Sequence, residues 1–164
     1  MRNLTVIESI VLAFCVIMVG AIVGPRIMPE GDQASESAVR TNMKVVQVAA
    51  ESYALDHGGA FPAVIDSEFQ SYFPDGKPGA SAVAGKAPVN PFTRKEEWPV
   101  MSAIGDVEAV RNLPPVWVGR AGQINYCPIV VGNKVTGYAI TGAGEEGRSL
   151  EGSSASLTFV LANQ

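Results

Sequence analysis

The chain is poor in the residues that build most active and metal sites. Of its 164 residues two are cysteines, one is a histidine and 17% are charged. Cysteine–histidine spacing of the zinc type is missing, and so are EF-hand spacing and a phosphate-binding glycine loop with Lys-Ser/Thr. The net charge of −4 argues against a basic nucleic-acid-binding face, so we expect no specific nucleic acid partner. With no credible catalytic constellation, we expect no enzyme and no cofactor.

The scarce reactive residues have structural interpretations. Cys15 lies in an apolar run and Cys127 in a predicted strand, which makes a disulfide between them in one chain unfavourable. His57 falls in the last turn of a predicted helix that Gly58 would end in a left-handed conformation. We therefore interpret His57 as a capping group that interacts with the helix dipole, and not as a catalyst.

One stretch demands a non-aqueous environment. From Leu4 to Pro25 the chain is apolar apart from small polar residues and Glu8, and positions 9 to 24 carry no charge. At about 1.5 Å per residue such a helix is long enough, or nearly so, to cross a bilayer. A cleaved signal peptide is the alternative, although Glu8 inside its core would be unusual.

Glu8 has two interpretations that the sequence leaves open. A carboxylate in an apolar run is tolerable when it is protonated, reaches the surface or pairs with a cation. A helix does not easily fold back on its own start, so the N-terminal amine of a neighbouring copy is the natural partner. That pairing would fix the axial offset between adjacent copies. In the other interpretation Glu8 lies at the level of the lipid headgroups and has no role.

The beginning of the chain resembles a known family. Leu4-Thr5-Val6-Ile7-Glu8 and the apolar run that ends in Gly24-Pro25 resemble the N-terminus of type IV pilins and type II secretion pseudopilins. In that family a Phe-Thr-Leu-Ile-Glu start is followed by a proline seventeen residues after the glutamate, and Glu8 and Pro25 have this separation. Asn3 stands where the family has the glycine cleaved by its peptidase, so we expect either a mature start at Met1 or an unusual leader.

The resemblance continues more loosely into the rest of the chain. It covers an Asn-Pro-Phe-Thr element at positions 90 to 93, a Gly-Gln-Ile-x-Tyr strand at 122 to 126 and a Gly-Tyr-x-Ile strand at 137 to 140. It implies the structural subunit of a type IV pilus-like filament, held in the inner membrane before assembly and then exported to the cell surface. The implied partners are identical subunits, the assembly machinery and a prepilin peptidase. Glu8, Leu4 and Thr5 would set the register of assembly.

Two alternatives to a pilus subunit stay open. One is a major pseudopilin of a secretion or competence machine, in which a corresponding loop holds calcium. Glu145, Glu146 and Glu151 could serve that role here, or they could form a solvated acidic loop. The other is a membrane-tethered binding domain, for which Glu8 would be dispensable.

The predicted fold is α+β and pilin-like, with a helix that breaks near positions 20 to 32. Gly24 and Pro25 interrupt helical hydrogen bonding there, and the domains are expected at 1–33 and 34–164. Helix resumes at Ser35 or Ser37 and runs to His57. Its inner face has apolar residues at alternating steps of four and three, at Val39, Met43, Val46, Ala50 and Tyr53. A second small stripe comprises Val45, Val48 and Ala49, and the outer face is charged through Glu36, Arg40 and Lys44.

The rest of the head is predicted as loops, two short helices and a small antiparallel sheet of three or four strands. The short helices are expected at 66–72 and 106–112, and Trp98 and Trp117 are expected to pack under the loops. The strands are expected at 123–131, 135–141 and 157–161, with a hairpin turn that begins at Gly132-Asn133.

Overall fold

The computed structural model describes residues 30–152 and 157–163, with the backbone alone for 30–32. Ala34–Gln164 belongs to one compact unit, and the architecture below is that of its described residues. Its helices are α1 (Glu30–Asp56), α2 (Ser67–Gln70) and α3 (Val107–Arg111). Its strands are β1 (Val100–Met101), β2 (Ile124–Val131), β3 (Lys134–Gly142) and β4 (Leu161–Asn163). No helix in the described part of the chain has the length and apolar character that a membrane crossing requires.

The fold is mixed α/β, with one long helix against a four-stranded sheet in the order β1-β2-β3-β4. The number of strands agrees with the prediction, but the sheet is mixed and not purely antiparallel, because β1 pairs parallel to β2. A two-residue strand is too short to show alternation of apolar and polar residues, and the chain reaches it through a long irregular segment. The hairpin of β2 and β3 turns at Gly132-Asn133 as predicted, since Val131 pairs with Lys134.

The inner face of α1 confirms its sequence pattern. Val39, Met43, Val46 and Ala50 are all fully buried, and Tyr53 packs at the edge of the same core. These residues meet Tyr126 and Ile140 from the sheet, together with other core members. The helix packs tightly on the sheet at Gly142, where an added Cβ would lie 2.7 Å from Val39 Cγ1 and 2.8 Å from Met43 Sδ. A side chain at position 142 would therefore push the helix outward.

The ends of the helices follow the capping residues in the sequence. Gly58 has φ +62°, and the Gly59 N–H donates to the Ala54 carbonyl oxygen at 2.8 Å, which closes the C-terminus of α1. Asp66 caps α2 and Asp106 caps α3, each by accepting a bond from a backbone N–H three residues later. At its other end α1 differs from the prediction, because the chain is already helical at Glu30, before Ser35.

Two further expectations were wrong. Trp98 packs on the core, with its ring 5.0 Å from that of Phe73, but Trp117 is 72% exposed. Trp117 forms an isolated bridge with Arg148, and no segment of residues 30–152 or 157–163 buries its ring. The terminal strand is β4 at 161–163 and not 157–161, because Thr158 pairs instead with Glu151 across a separate bridge.

Candidate functional site

The outer face of α1 is the largest helical surface that the described part of the head leaves uncovered. It consists of six exposed residues at helical spacing: Ser37, Thr41, Lys44, Val48, Glu51 and Leu55. Two of them are apolar, with Val48 61% exposed and Leu55 84% exposed. Val48 and Leu55 are the large apolar side chains that this face presents to another molecule.

The second stripe predicted from the sequence is divided between the core and this outer face. Ala49 is buried and Val45 packs against the core, so only Val48 remains for another molecule to contact. Leu55, the most exposed large apolar residue in the described chain, was missed. Its spacing of seven residues from Val48 was the signal that could have found it.

The outer face carries one negative charge that is held by hydrogen bonds and one positive charge that belongs to no described ion pair. The Glu51 carboxylate accepts a 2.8 Å bond from the Tyr138 hydroxyl and a 3.2 Å bond from the Gln47 amide. Burial, and then the bond to Glu51, raise the pKa of Tyr138, so this hydroxyl keeps its proton and remains a donor. Lys44 lies seven residues before Glu51, is exposed, and is not a member of any ion pair among the described residues.

Arg40 is not part of the outer charged face that the sequence predicted. Its guanidinium donates a 2.6 Å bond to the Glu151 carbonyl oxygen and lies 4.6 Å from the centre of the Phe159 ring. Arg40 therefore ties α1 to the C-terminal segment, through a hydrogen bond and a cation–π contact.

A groove of about 410 Å³ lies at the C-terminal end of the outer face. Glu51, Ala54 and Leu55 of α1 form one wall, and Gly59, Phe61 and Asn163 complete the lining. The residues of α1 and Phe61 make most of this lining apolar, while Glu51 and Asn163 supply polar groups at its margin. An apolar side chain of modest size from another molecule matches this chemistry.

The sole histidine joins the end of α1 to α2. The His57 ring stacks on Tyr53 with centroids 3.7 Å apart, and Nδ1–H donates to the Tyr53 carbonyl oxygen at 2.8 Å. Nε2 lies 3.0 Å from a Glu68 carboxylate oxygen. The bond to Tyr53 is the largest cause that raises the pKa of His57 above 6.5; partial burial opposes it and Glu68 adds to it. These contacts confirm the capping interpretation.

Because the folded state favours protonated His57, this contact should stabilise the head below about pH 6.5 and lose its effect as the pH rises through the higher folded-state pKa. We expect the free energy of unfolding of the wild-type protein to exceed that of His57→Gln by about 0.5 kcal/mol near pH 5.5 and by less near pH 8.5. Thermal unfolding of both proteins across this range measures the difference. Glu68→Gln should show the same trend, and a difference that grows with pH would contradict the assignment.

Asn90, in the Asn-Pro-Phe-Thr element, organises the loops next to the sheet. Its side chain is 3% exposed, and Oδ1 accepts bonds from the Phe92 and Thr93 N–H groups at 2.9 and 3.3 Å. Nδ2 donates to Glu97 at 3.1 Å and to the Ala121 carbonyl oxygen at 2.9 Å. The Thr93 hydroxyl and then the Asn90 amide hold the pKa of Glu97 below its usual value, against an opposing effect of burial. The element is therefore a fully bonded turn.

The acidic residues that could have held calcium are not grouped for that role. Glu145 and Glu146 are exposed in a tight turn that the bonded pair Gly144–Arg148 closes, and Glu151 lies beyond it. Among residues 30–152 and 157–163, no three His, Cys, Asp or Glu side chains form a group that could hold a metal ion. Calcium binding by Glu145, Glu146 and Glu151 stays a prediction.

The residues predicted to control assembly lie outside the described part of the chain. These are Leu4, Thr5 and Glu8, the helix break at Gly24 and Pro25, and nearly all of the domain 1–33. Cys127 is a buried free thiol, and Cys15 falls outside the described residues. Comparison with protein-family models, curated proteins and solved structures gives no match to this chain.

Proposed function

We propose that the chain is the structural subunit of an extracellular, type IV pilus-like helical filament that assembles from the inner membrane through its apolar N-terminal segment. The observation that carries the proposal is the outer face of α1. One side of this helix is buried on the sheet, while the other side is exposed and carries Val48 and Leu55. In sequence, α1 begins at Glu30, and four residues separate it from the apolar run that ends at Gly24-Pro25.

We also propose that the fold of the head is pilin-like. A helix packed by one face on a small sheet resembles the arrangement of a pilin head. Of the sequence elements quoted for the resemblance, three belong to the described head: one at the turn of Asn90, one at the start of β2 and one on β3. The fold alone does not identify a function, so the exposed helix face and the N-terminal sequence carry the argument together.

The energetics of such a filament follow from the apolar run. In a filament surrounded by water, exposure of this run would cost about 25 cal/mol per Å² of apolar surface, and burial among identical helices avoids that cost. A helix transferred from lipid to a bundle of identical helices keeps its apolar surroundings and adds close packing. Glu8 remains the exception, and a pairing with the N-terminal amine of a neighbouring copy would neutralise it and fix the register.

Replacement of Glu8 tests the function. We expect Glu8→Ala to lower filament yield by at least about tenfold, because loss of the pairing removes upward of 1.4 kcal/mol per subunit contact, and Glu8→Lys to lower it further by repulsion from the neighbouring amine. Electron microscopy of material sheared from native cells, with immunoblotting of the membrane fraction, measures assembled and stored protein. Glu96→Ala, which changes an exposed glutamate of the head, is the matched control and should assemble normally.

The outcomes separate the alternatives. Normal filaments from Glu8→Ala and Glu8→Lys would remove the assigned role of Glu8. A wild-type protein that never assembles, and whose membrane-bound form stays monomeric in detergent, would contradict the proposed function and favour a tethered binding domain. Short fibres confined to the periplasm would favour a pseudopilin.

A further inference from the structure

The outer face of α1 repeats itself after seven residues. Val48 and Leu55 are seven positions apart, and so are Lys44 and Glu51. Seven residues make nearly two turns of an α-helix, so each pair points in almost the same direction, at an axial separation of about 10 Å. A second copy of α1 that lies parallel to the first and is displaced by this distance would place unlike partners side by side.

The axial offset between two parallel copies of α1 decides whether the charges of Lys44 and Glu51 attract or repel across the contact. Without an offset, parallel copies would place Lys44 beside Lys44 and Glu51 beside Glu51, which is unfavourable. With an offset of seven residues, Lys44 of one copy faces Glu51 of the next. The Glu51 carboxylate is already held by Tyr138 and Gln47, so little side-chain freedom is lost when the contact forms.

The apolar residues match under the same offset. Val48 of one copy would lie against Leu55 of the next, next to the groove of about 410 Å³. Ala54, Gly59 and Phe61 line this groove, and its volume is ample for a valine side chain. Contact would cover two side chains that are 61% and 84% exposed in the single subunit.

We infer that the outer face of α1 binds α1 of a second copy of this chain, parallel and offset by seven residues, with Lys44 against Glu51 and Val48 in the groove beside Leu55. The inference rests on the proposed function, which supplies the parallel orientation through a common direction of all N-terminal segments. It adds a contact between heads to the contacts of the apolar segments.

Exchange of the two charges tests the contact in the full-length chain. Lys44→Glu and Glu51→Lys should each lower filament yield about tenfold, and the double exchange should restore most of it, because the pair is re-formed with opposite polarity. Glu51→Gln keeps an acceptor for the Tyr138 hydroxyl and removes only the charge, so a loss of yield with unchanged thermal unfolding identifies the intermolecular contact. Lys134→Glu, at the exposed end of the β2–β3 hairpin, is the matched control and should assemble normally.

Cysteine cross-linking tests the offset. In filaments of a Cys15→Ser chain that carry both Val48→Cys and Leu55→Cys, mild oxidation should give a ladder of linked subunits, whereas Val48→Cys alone in the same background should give none. Linked dimers from Val48→Cys alone would overturn the seven-residue offset in favour of an unshifted or antiparallel pairing. Wild-type filaments with normal yields from both single charge variants would overturn this contact and leave the proposed function standing. If wild type forms no filament, the proposed function fails and this contact fails with it.

Discussion

Asn90→Ala should lower the free energy of unfolding by about 3 kcal/mol, equivalent to a fall of about 10 °C in Tm. Alanine would leave four groups without their present partners: the Phe92 and Thr93 N–H groups, the Ala121 carbonyl oxygen and the Glu97 carboxylate. Each loss is costly because Asn90 is only 3% exposed, and buried polar groups are normally hydrogen-bonded. Thermal unfolding of the full-length chain, followed by circular dichroism, measures the effect.

Asn90→Asp sharpens this test because it changes charge and leaves shape nearly constant. The new carboxylate would keep the bonds from Phe92 and Thr93 but would face Glu97 and the Ala121 carbonyl oxygen, two acceptors. We expect this variant to recover stability as the pH falls and the carboxyl protonates, whereas Asn90→Ala should not. Asn112→Ala, at an exposed asparagine with a bond to the Glu108 carbonyl oxygen, should cost under about 1 kcal/mol. Equal losses at both asparagines would contradict the role given to Asn90.

Features fixed by local chemistry were predictable from the sequence. The inner face of α1 appeared as a helical repeat of apolar residues, and it is the face that packs on the sheet. Asp66 and Asp106 marked the starts of short helices because an aspartate side chain can accept the first free N–H groups. Gly132-Asn133 marked the hairpin turn because glycine and asparagine are the residues that tight hairpin turns prefer.

Features that depend on distant parts of the chain were not predictable. The parallel pairing of β1 with β2 depends on the path of the segment that precedes β1, and its two residues carry no pattern of their own. Exposure of Trp117 depends on which loops pass over it. The end of the chain offered several apolar residues as a strand, and pairing with β3 selected 161–163. In each case tertiary contacts decided among locally equivalent choices.

The candidate site shows the same division. Helical spacing predicted an outer face of α1 and assigned Arg40 to it. In the structure the Arg40 guanidinium instead binds the Glu151 carbonyl oxygen. The prediction also missed that the Tyr138 hydroxyl, from β3, holds Glu51. These contacts join residues that are 111 and 87 positions apart, and no local sequence pattern indicates such pairs.

Gly142→Ala should lower the free energy of unfolding by about 2 kcal/mol, because the new methyl group would press on Val39 and Met43. The backbone at position 142 does not have the positive φ at which a side chain is strained, so the loss would be steric. Gly105→Ala is the matched control, since its added Cβ meets nothing within 4 Å and its φ is also ordinary. That variant should be neutral or slightly stabilising, because alanine restricts the unfolded chain.

Val39→Ala should partly rescue Gly142→Ala, because it removes the Cγ1 atom that the new methyl group would strike at 2.7 Å. We expect a favourable coupling of about 1 kcal/mol in the double-mutant cycle, measured by thermal unfolding of all four proteins. Simple addition of the two losses would show that Gly142 does not set the distance between α1 and the sheet.

This distance matters for function because the groove beside Leu55 lies between α1 and the segments that carry Phe61 and Asn163. Gly142→Ala should therefore also weaken the cross-link between positions 48 and 55, while Gly105→Ala should leave it intact.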